Sequence, residues 1–155
     1  MDLITHLTTA DRERLMAEGD VKRLTVGEYL LRRGQRGGDI YLVESGRLEV
    51  VELRQTPAVI WDVLDEGSLV GEMAFIDQSD RAADVRALNE STVRHWRRES
   101  LIRMLESDTS LSSRFYAALS AAAVERLRAT DAHASGVIGL QGMSSLGRVS
   151  PAVAE

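Results

Sequence analysis

Between Val21 and Arg97 the chain breaks into short runs of Val, Ile, Leu and Tyr, punctuated by glycines at positions 27, 34, 37, 38, 46, 67 and 71. Such spacing interrupts any helix of ordinary length but suits strands of a few residues joined by tight turns. Tyr29 to Arg32, Ile40 to Val43, Leu48 to Leu53, Val59 to Leu64, Asp84 to Leu88 and Thr92 to Trp96 read as strands. Ser45-Gly46 reads as a hairpin turn, and Arg54-Gln55-Thr56-Pro57 as a connection where proline breaks no ladder. Many short strands with short turns must bury their inner faces by doubling over or closing, so a sandwich, jelly roll or barrel is expected.

Helical texture flanks this region. Thr8 with Asp11 three residues later is a capping pattern, Leu15 and Met16 supply an apolar face, and Gly19 ends the segment, which predicts a helix over about 9–18. After Trp96, the spacing of Leu101, Ile102, Met104 and Leu105 predicts one helix. Leu111, Phe115, Leu119, Ala123 and Leu127 predict a second over about 110–130. Residues 131–155 are rich in small side chains without a sustained period and read as a flexible tail, leaving 1–130 as the folded domain. The fold class expected is mainly β, with one helix before the strands and two after them.

Composition narrows the function. Of 155 residues, 44% are hydrophobic and 28% charged, the proportions of an ordinary globular domain, and the net charge of -5 disfavours broad attachment to nucleic acid or to an anionic membrane. The absence of cysteine excludes disulfides and thiolate chemistry. No basic start followed by an apolar stretch marks an export signal, so a cytoplasmic location is expected, and the Asn89-Glu90-Ser91 triplet reads as chance. His6, His95 and His133 have no metal-ligand spacing, and no serine lies in a nucleophile elbow, so neither a metal site nor an enzyme is expected. In its alternating strand, His95 reads as a structural histidine.

The segment GEMAFIDQSDRAADVRA, residues 71–87, carries the chemistry. Gly71 permits close backbone approach, ionised Glu72 is a pure acceptor, and Met73, Ala74, Phe75 and Ile76 suit a helical turn whose free amides face an anion. Arg81 adds a planar, permanently charged donor fork, and Ala82 and Ala83 leave room against the backbone. A carboxylate for sugar hydroxyls beside a guanidinium for phosphate describes a nucleotide site; the bland alternative is a surface Glu-Arg pair.

The ordered set GEYLLRRGQRGGDIYLVESGRLEVVEL (27–53), DEGSLVGEMAF (65–75) and DRAADVRA (80–87) resembles the cyclic nucleotide-binding domain family over residues 10–128. The resemblance implies an eight-stranded antiparallel jelly roll and a sensor of cAMP or a related cyclic nucleotide, with no catalytic cofactor. It implies that Glu72 binds the ribose 2′-hydroxyl and Arg81 the cyclic phosphate, assisted by amides of the turn Gly71, Glu72, Met73, Ala74 and by Ala82. Ala82 lacks the hydroxyl that in relatives helps to hold cGMP, which points to cAMP.

Two positions depart from the family pattern. Asp80 stands where proline or an uncharged residue is frequent; at roughly 8 Å a carboxylate would oppose phosphate binding by about 0.5–2 kcal/mol. Asp84 stands where threonine or asparagine is common, and strand alternation turns it away from Arg81, Ala83 and Val85. No sequence resembling a winged DNA-binding unit, a kinase or a pore accompanies the motif set, so the module is expected to act on a protein partner through its C-terminal helices. The 110–130 helix has a leucine stripe for the roll and an alanine face for a homodimer contact or a ligand lid. The rival reading is a roll that serves as an interaction module and has lost its ligand.

Overall fold

The structure is a computed structural model and describes residues 5–144. Helix α1 (Thr9–Glu18) is followed by strands β1 (Asp20–Leu24), β2 (Tyr29–Leu31), β3 (Ile40–Ser45), β4 (Leu48–Glu52), β5 (Val59–Leu64) and β6 (Leu69–Val70). Helix α2 (Glu72–Asp77), strands β7 (Asp84–Ala87) and β8 (Ser91–Trp96), and helices α3 (Arg98–Glu106) and α4 (Thr109–Ser144) complete the order. The strands form two antiparallel four-stranded sheets, β1-β8-β3-β6 and β2-β7-β4-β5, as expected for a jelly roll. Among the described residues no helix is long and apolar enough to cross a membrane.

Two strands were not foreseen in the residue pattern. β1 is DVKRL, buried only at Leu24, so it has no alternation to read; β6 is a two-residue pair against Tyr41 and Leu42. In β3 and β6 the division between two faces is clear. Along β3, Ile40 and Leu42 face the helices while Val43 enters the roll, and along β6 Leu69 and Val70 divide in the same way. The result is two adjoining cores: one between the sheets, and one joining the outer face of the first sheet to Leu15, Phe75, Leu101, Phe115 and Leu119 from the four helices.

That second core fixes where the C-terminal helices stand relative to the roll. Thr8 and Asp11 form the reciprocal capping box of α1, with both bonds at 3.0 Å. The same Asp11 carboxylate receives a two-pronged ion pair from Arg114 on α4, at 2.5 and 2.9 Å. Beside it, Arg14 meets Asp108 at 2.6 Å, and the Trp96 indole N–H donates to the Leu15 carbonyl at 2.6 Å. The root of α4 is thereby clamped to α1, and α1 to β8.

The helix then runs further than its sequence indicates. The alanine-rich stretch continues as helix through residues 131–144, which corrects the reading of 131–155 as a flexible tail from its first residue; residues 145–155 lie outside the described residues. Gly136, Gly139 and Gly142 hide the period, yet once a turn is nucleated each further residue adds a hydrogen bond, and the packed first half supplies the nucleus. A second correction concerns the leucine stripe. Leu111, Phe115 and Leu119 are buried, but Leu127 is half exposed, as are Val124 and, to a lesser degree, Tyr116.

Candidate functional site

Between the sheets, under α4, lies a cavity of about 230 Å3. Its apolar wall comes from the roll and from Trp61; its polar wall is the segment singled out in the sequence. Gly71, Glu72, Met73, Ala74, Arg81, Ala82 and Ala83 all line it. Asp84 does not, in keeping with strand alternation.

Gly71 is required twice over. Its φ of 90° lies in the left-handed region, and a Cβ there would stand 2.7 Å from a terminal nitrogen of Arg81 and 2.8 Å from the Asp39 carbonyl oxygen. This tight contact lets the backbone turn directly into α2, whose opening residue is Glu72. The first intrahelical bond is from Phe75 N–H to the Gly71 carbonyl at 3.2 Å, so the amides of the opening turn are not consumed by the helix ladder.

Glu72 is buried to 2% exposure, and its Oε1 has no hydrogen-bond donor among the described residues. Burial raises its pKa above the ordinary glutamate value, and the Arg126 guanidinium only partly offsets that. A buried carboxylate with an unused acceptor carries a substantial free-energy cost unless a donor arrives, which makes Glu72 the outstanding receptor for a hydroxyl in this cavity.

Arg81 is equally constrained. Its side chain is buried, one terminal nitrogen donating to the Asp39 carbonyl at 2.8 Å and the other reaching the Gly71 carbonyl at 3.5 Å. Its backbone N–H donates to the Gln35 carbonyl and its carbonyl accepts from Gly34 N–H, both at 2.8 Å. Desolvation lowers its pKa, countered by Tyr41, Asp39 and Glu72. With no carboxylate of the described residues in hydrogen-bonding contact and its fork held by neutral carbonyls, this guanidinium keeps its charge available to an anion.

Asp39 connects this arginine to the helices. Its carboxylate receives Arg98 N–H, at the start of α3, at 3.0 Å and stands 2.8 Å from His95 Nε2. His95 also stacks on Tyr41, with ring centroids 4.6 Å apart, in the structural place its strand position indicated. Burial pushes Asp39 up, but the Arg98 amide and the neighbouring His95 and Arg81 prevail and hold its pKa below the ordinary value. Arg98 then returns to α2 through a 3.0 Å bond to the Phe75 carbonyl.

Sequence reasoning missed two contributors. Trp61 sits where the β4–β5 ladder skips a residue, Val50 pairing with Asp62 and Val51 with Ile60, and this bulge accompanies its place in the cavity wall. Arg126 reaches from α4 across the cavity mouth, its Nε 3.1 Å from Asp62 Oδ2, one terminal nitrogen 3.1 Å from the Leu69 carbonyl and the other 3.8 Å from Glu72 Oε2. The bulge has no signature in a run such as VIWDVL, and an arginine on the polar side of a helix reads as solvated. Asp80 differs from expectation in another way: it is well exposed and 3.9 Å from Arg36, so solvent and a cation weaken its opposition to a phosphate.

Residues 21–108 match the family model of the cyclic nucleotide-binding domain. The chain belongs to the cyclic nucleotide-binding domain family. It is similar to the cAMP-dependent protein kinase regulatory subunit of Emericella nidulans, 32% identical over 104 residues, which is 66% of this chain and 24% of that protein. It therefore spans about a quarter of that relative's length.

Among solved structures, the c-di-GMP responsive global regulator CLP of Xanthomonas campestris superposes with a TM-score of 0.76 at 21% identity, covering 84% of this chain and 65% of CLP. A cyclic nucleotide-binding domain from Methylobacillus flagellatus superposes with a TM-score of 0.74 at 19% identity, covering 80% and 70%. Those two likenesses concern the fold. In this cyclic nucleotide-binding domain, Glu72 and Arg81 occupy the Gly-Glu and Arg-Ala-Ala positions of the motif set, and both open onto the cavity described above.

Proposed function

We propose that this domain binds cAMP, with Glu72 accepting from the ribose hydroxyl and Arg81 and the amides of the α2 turn holding the cyclic phosphate, and that it signals through α3 and α4 rather than catalysing a reaction. The observation that carries the reading is the pairing, in one cavity, of a buried carboxylate oxygen lacking a donor with a buried guanidinium bound by backbone carbonyls. A hydroxyl and an anion on one rigid ligand complement both. The same observation favours a ligand-binding role over that of a roll that has lost its ligand.

Transmission follows from what touches the cassette, the segment 71–87. Phe75 of α2 packs on Phe115 and Tyr116 of α4, at ring-centroid distances of 5.9 and 6.4 Å, while Arg98 joins α3 to α2 and Arg126 joins α4 to Glu72 in the cavity wall. A ligand that moves α2 or draws on Glu72 changes the relative free energies of two α4 placements, which is a population shift. The partner that reads α4 is a protein; a homodimer through residues 110–130 would use the exposed Tyr116, Val124 and Leu127. No nucleic acid enters this reading.

The test compares cAMP with 2′-deoxy-cAMP by calorimetry. Loss of the hydroxyl is expected to cost about 1.5–3 kcal/mol in the wild-type protein and much less in Glu72→Ala, because both remove one hydrogen bond to a charged group. Equal affinities of the wild-type protein for the two ligands would rule out the assigned role of Glu72.

A further inference from the structure

Asp84, which departs from the family pattern and does not face the cavity, is buried to 8% exposure. Its Oδ1 accepts from Arg32 Nε at 3.1 Å and from the Arg33 backbone N–H at 2.9 Å. These residues open the loop 32–39 between β2 and β3. The same loop grips Arg81 on three sides: Gly34 N–H on its carbonyl, the Gln35 carbonyl on its amide and the Asp39 carbonyl on its guanidinium, each at 2.8 Å. Within the loop, the Gln35 side chain accepts from Arg32 N–H at 2.8 Å, and Gln35 N–H returns to the Arg32 carbonyl at 3.1 Å.

These bonds close a circuit. β7 begins at Asp84, three residues after Arg81, so the carboxylate and the guanidinium leave one short segment on opposite sides and both end on the loop 32–39. The carboxylate holds the loop's near end, and the far end holds the guanidinium. Arg32 is itself steadied over the Tyr29 ring, 3.9 Å from its centroid. A long side chain held by carbonyls is only as well placed as the loop that carries them, and misplacement of a binding group lowers affinity without removing any contact residue. We infer that Asp84 is a positioning residue for the phosphate-binding guanidinium, acting through the loop 32–39 and not by touching the ligand.

The inference rests on the proposed role of Arg81, so its test has one arm without ligand. In the free protein, Asp84→Ala is expected to speed hydrogen exchange at the Gly34 and Arg81 amides relative to Val93 in the roll core, and Asp84→Asn, which keeps a carbonyl oxygen for Arg33 N–H, is expected to retain most of the protection. With cAMP, Asp84→Ala is expected to weaken binding about tenfold in the wild-type background and less than about twofold in Arg81→Ala, the non-additivity of residues acting in series. Unaltered protection at Gly34 and Arg81 in Asp84→Ala would overturn the inference. So would an equal loss of affinity in both backgrounds, which marks a general structural effect. Failure of the wild-type protein to bind any cyclic nucleotide would instead defeat the ligand assignment, and exchange in the free protein would still decide whether Asp84 braces Arg81.

Discussion

Replacing Arg126 by glutamine removes the charge that α4 places at the cavity mouth while keeping a long polar side chain. The guanidinium stands 3.8 Å from Glu72 Oε2, a carboxylate at 2% exposure, and is itself 18% exposed. At an effective dielectric near 20, that separation corresponds to an attraction of about 4 kcal/mol, much of which only offsets desolvation of the two ions. About 1–2 kcal/mol should survive as a net tie between α4 and the cassette. Loss of that tie raises the Glu72 pKa further and frees the α4 roof, so Arg126→Gln is expected to release cAMP about tenfold faster, the kinetic equivalent of about 1.4 kcal/mol. Stopped-flow displacement of a fluorescent cAMP analogue measures the rate. A chain ending after Glu125 is the companion test, because the last buried apolar residue described on α4 is Ala122 and the helical core packing is retained. Release at the wild-type rate in both proteins, while they remain folded, would refute the claim that α4 acts as a lid through Arg126.

Protonation should tune the same site. A ligand hydroxyl bonded to ionised Glu72 lowers its pKa in the complex, whereas in the free protein burial holds it above 4.5; the complex then carries fewer protons, and affinity falls as the pH drops from neutral through that raised value. Calorimetry across pH should show this slope, and Glu72→Gln should abolish it. The α1 clamp shows the same pH trend from the opposite pKa shift: the Arg114 pair depresses the Asp11 pKa below 3.8, so its stabilisation is present above that value and disappears as the pH falls through the depressed one, a loss that Asp11→Asn should flatten in acid unfolding curves. Thr8→Ala, which removes one arm of the capping box, should destabilise the free protein by about 1 kcal/mol in denaturant unfolding without changing ligand affinity. The bare methyl of Ala82 should leave cAMP bound more tightly than cGMP, and a clear preference for cGMP in competition binding would contradict that assignment.

How much of this was legible in the residues depended on whether a local rule governed them. The strands with clean alternation, such as Ile40 to Ser45, were recognisable because one face meets the core and the other the roll interior. The α1 cap was recognisable because Thr8 and Asp11 satisfy each other within one turn. The cassette was legible because Gly71, Glu72 and Arg81 lie on a short segment whose chemistry is complete in itself. What escaped depends on distant packing. Arg126 meets Asp62 and Glu72 only because α1, through Asp11 and Arg114, fixes the direction of α4. Trp61 enters the cavity beside a bulge specified by the pairing of two strands rather than by either alone. Asp39 lies outside the segment 71–87, yet its carbonyl holds Arg81 and its carboxylate accepts from the first amide of α3.

Under the proposed function, one cavity holds a cyclic nucleotide by its phosphate at Arg81. Titration calorimetry of cAMP into the wild-type protein and into Arg81→Ala tests it most directly. The wild-type protein should saturate at one ligand per chain, and Arg81→Ala should lose about 2–5 kcal/mol of binding free energy with its thermal unfolding little changed, because a buried anion would be left poorly paired. Near-wild-type affinity in a folded Arg81→Ala protein, or no saturable binding of cAMP by the wild-type chain, would contradict the claim.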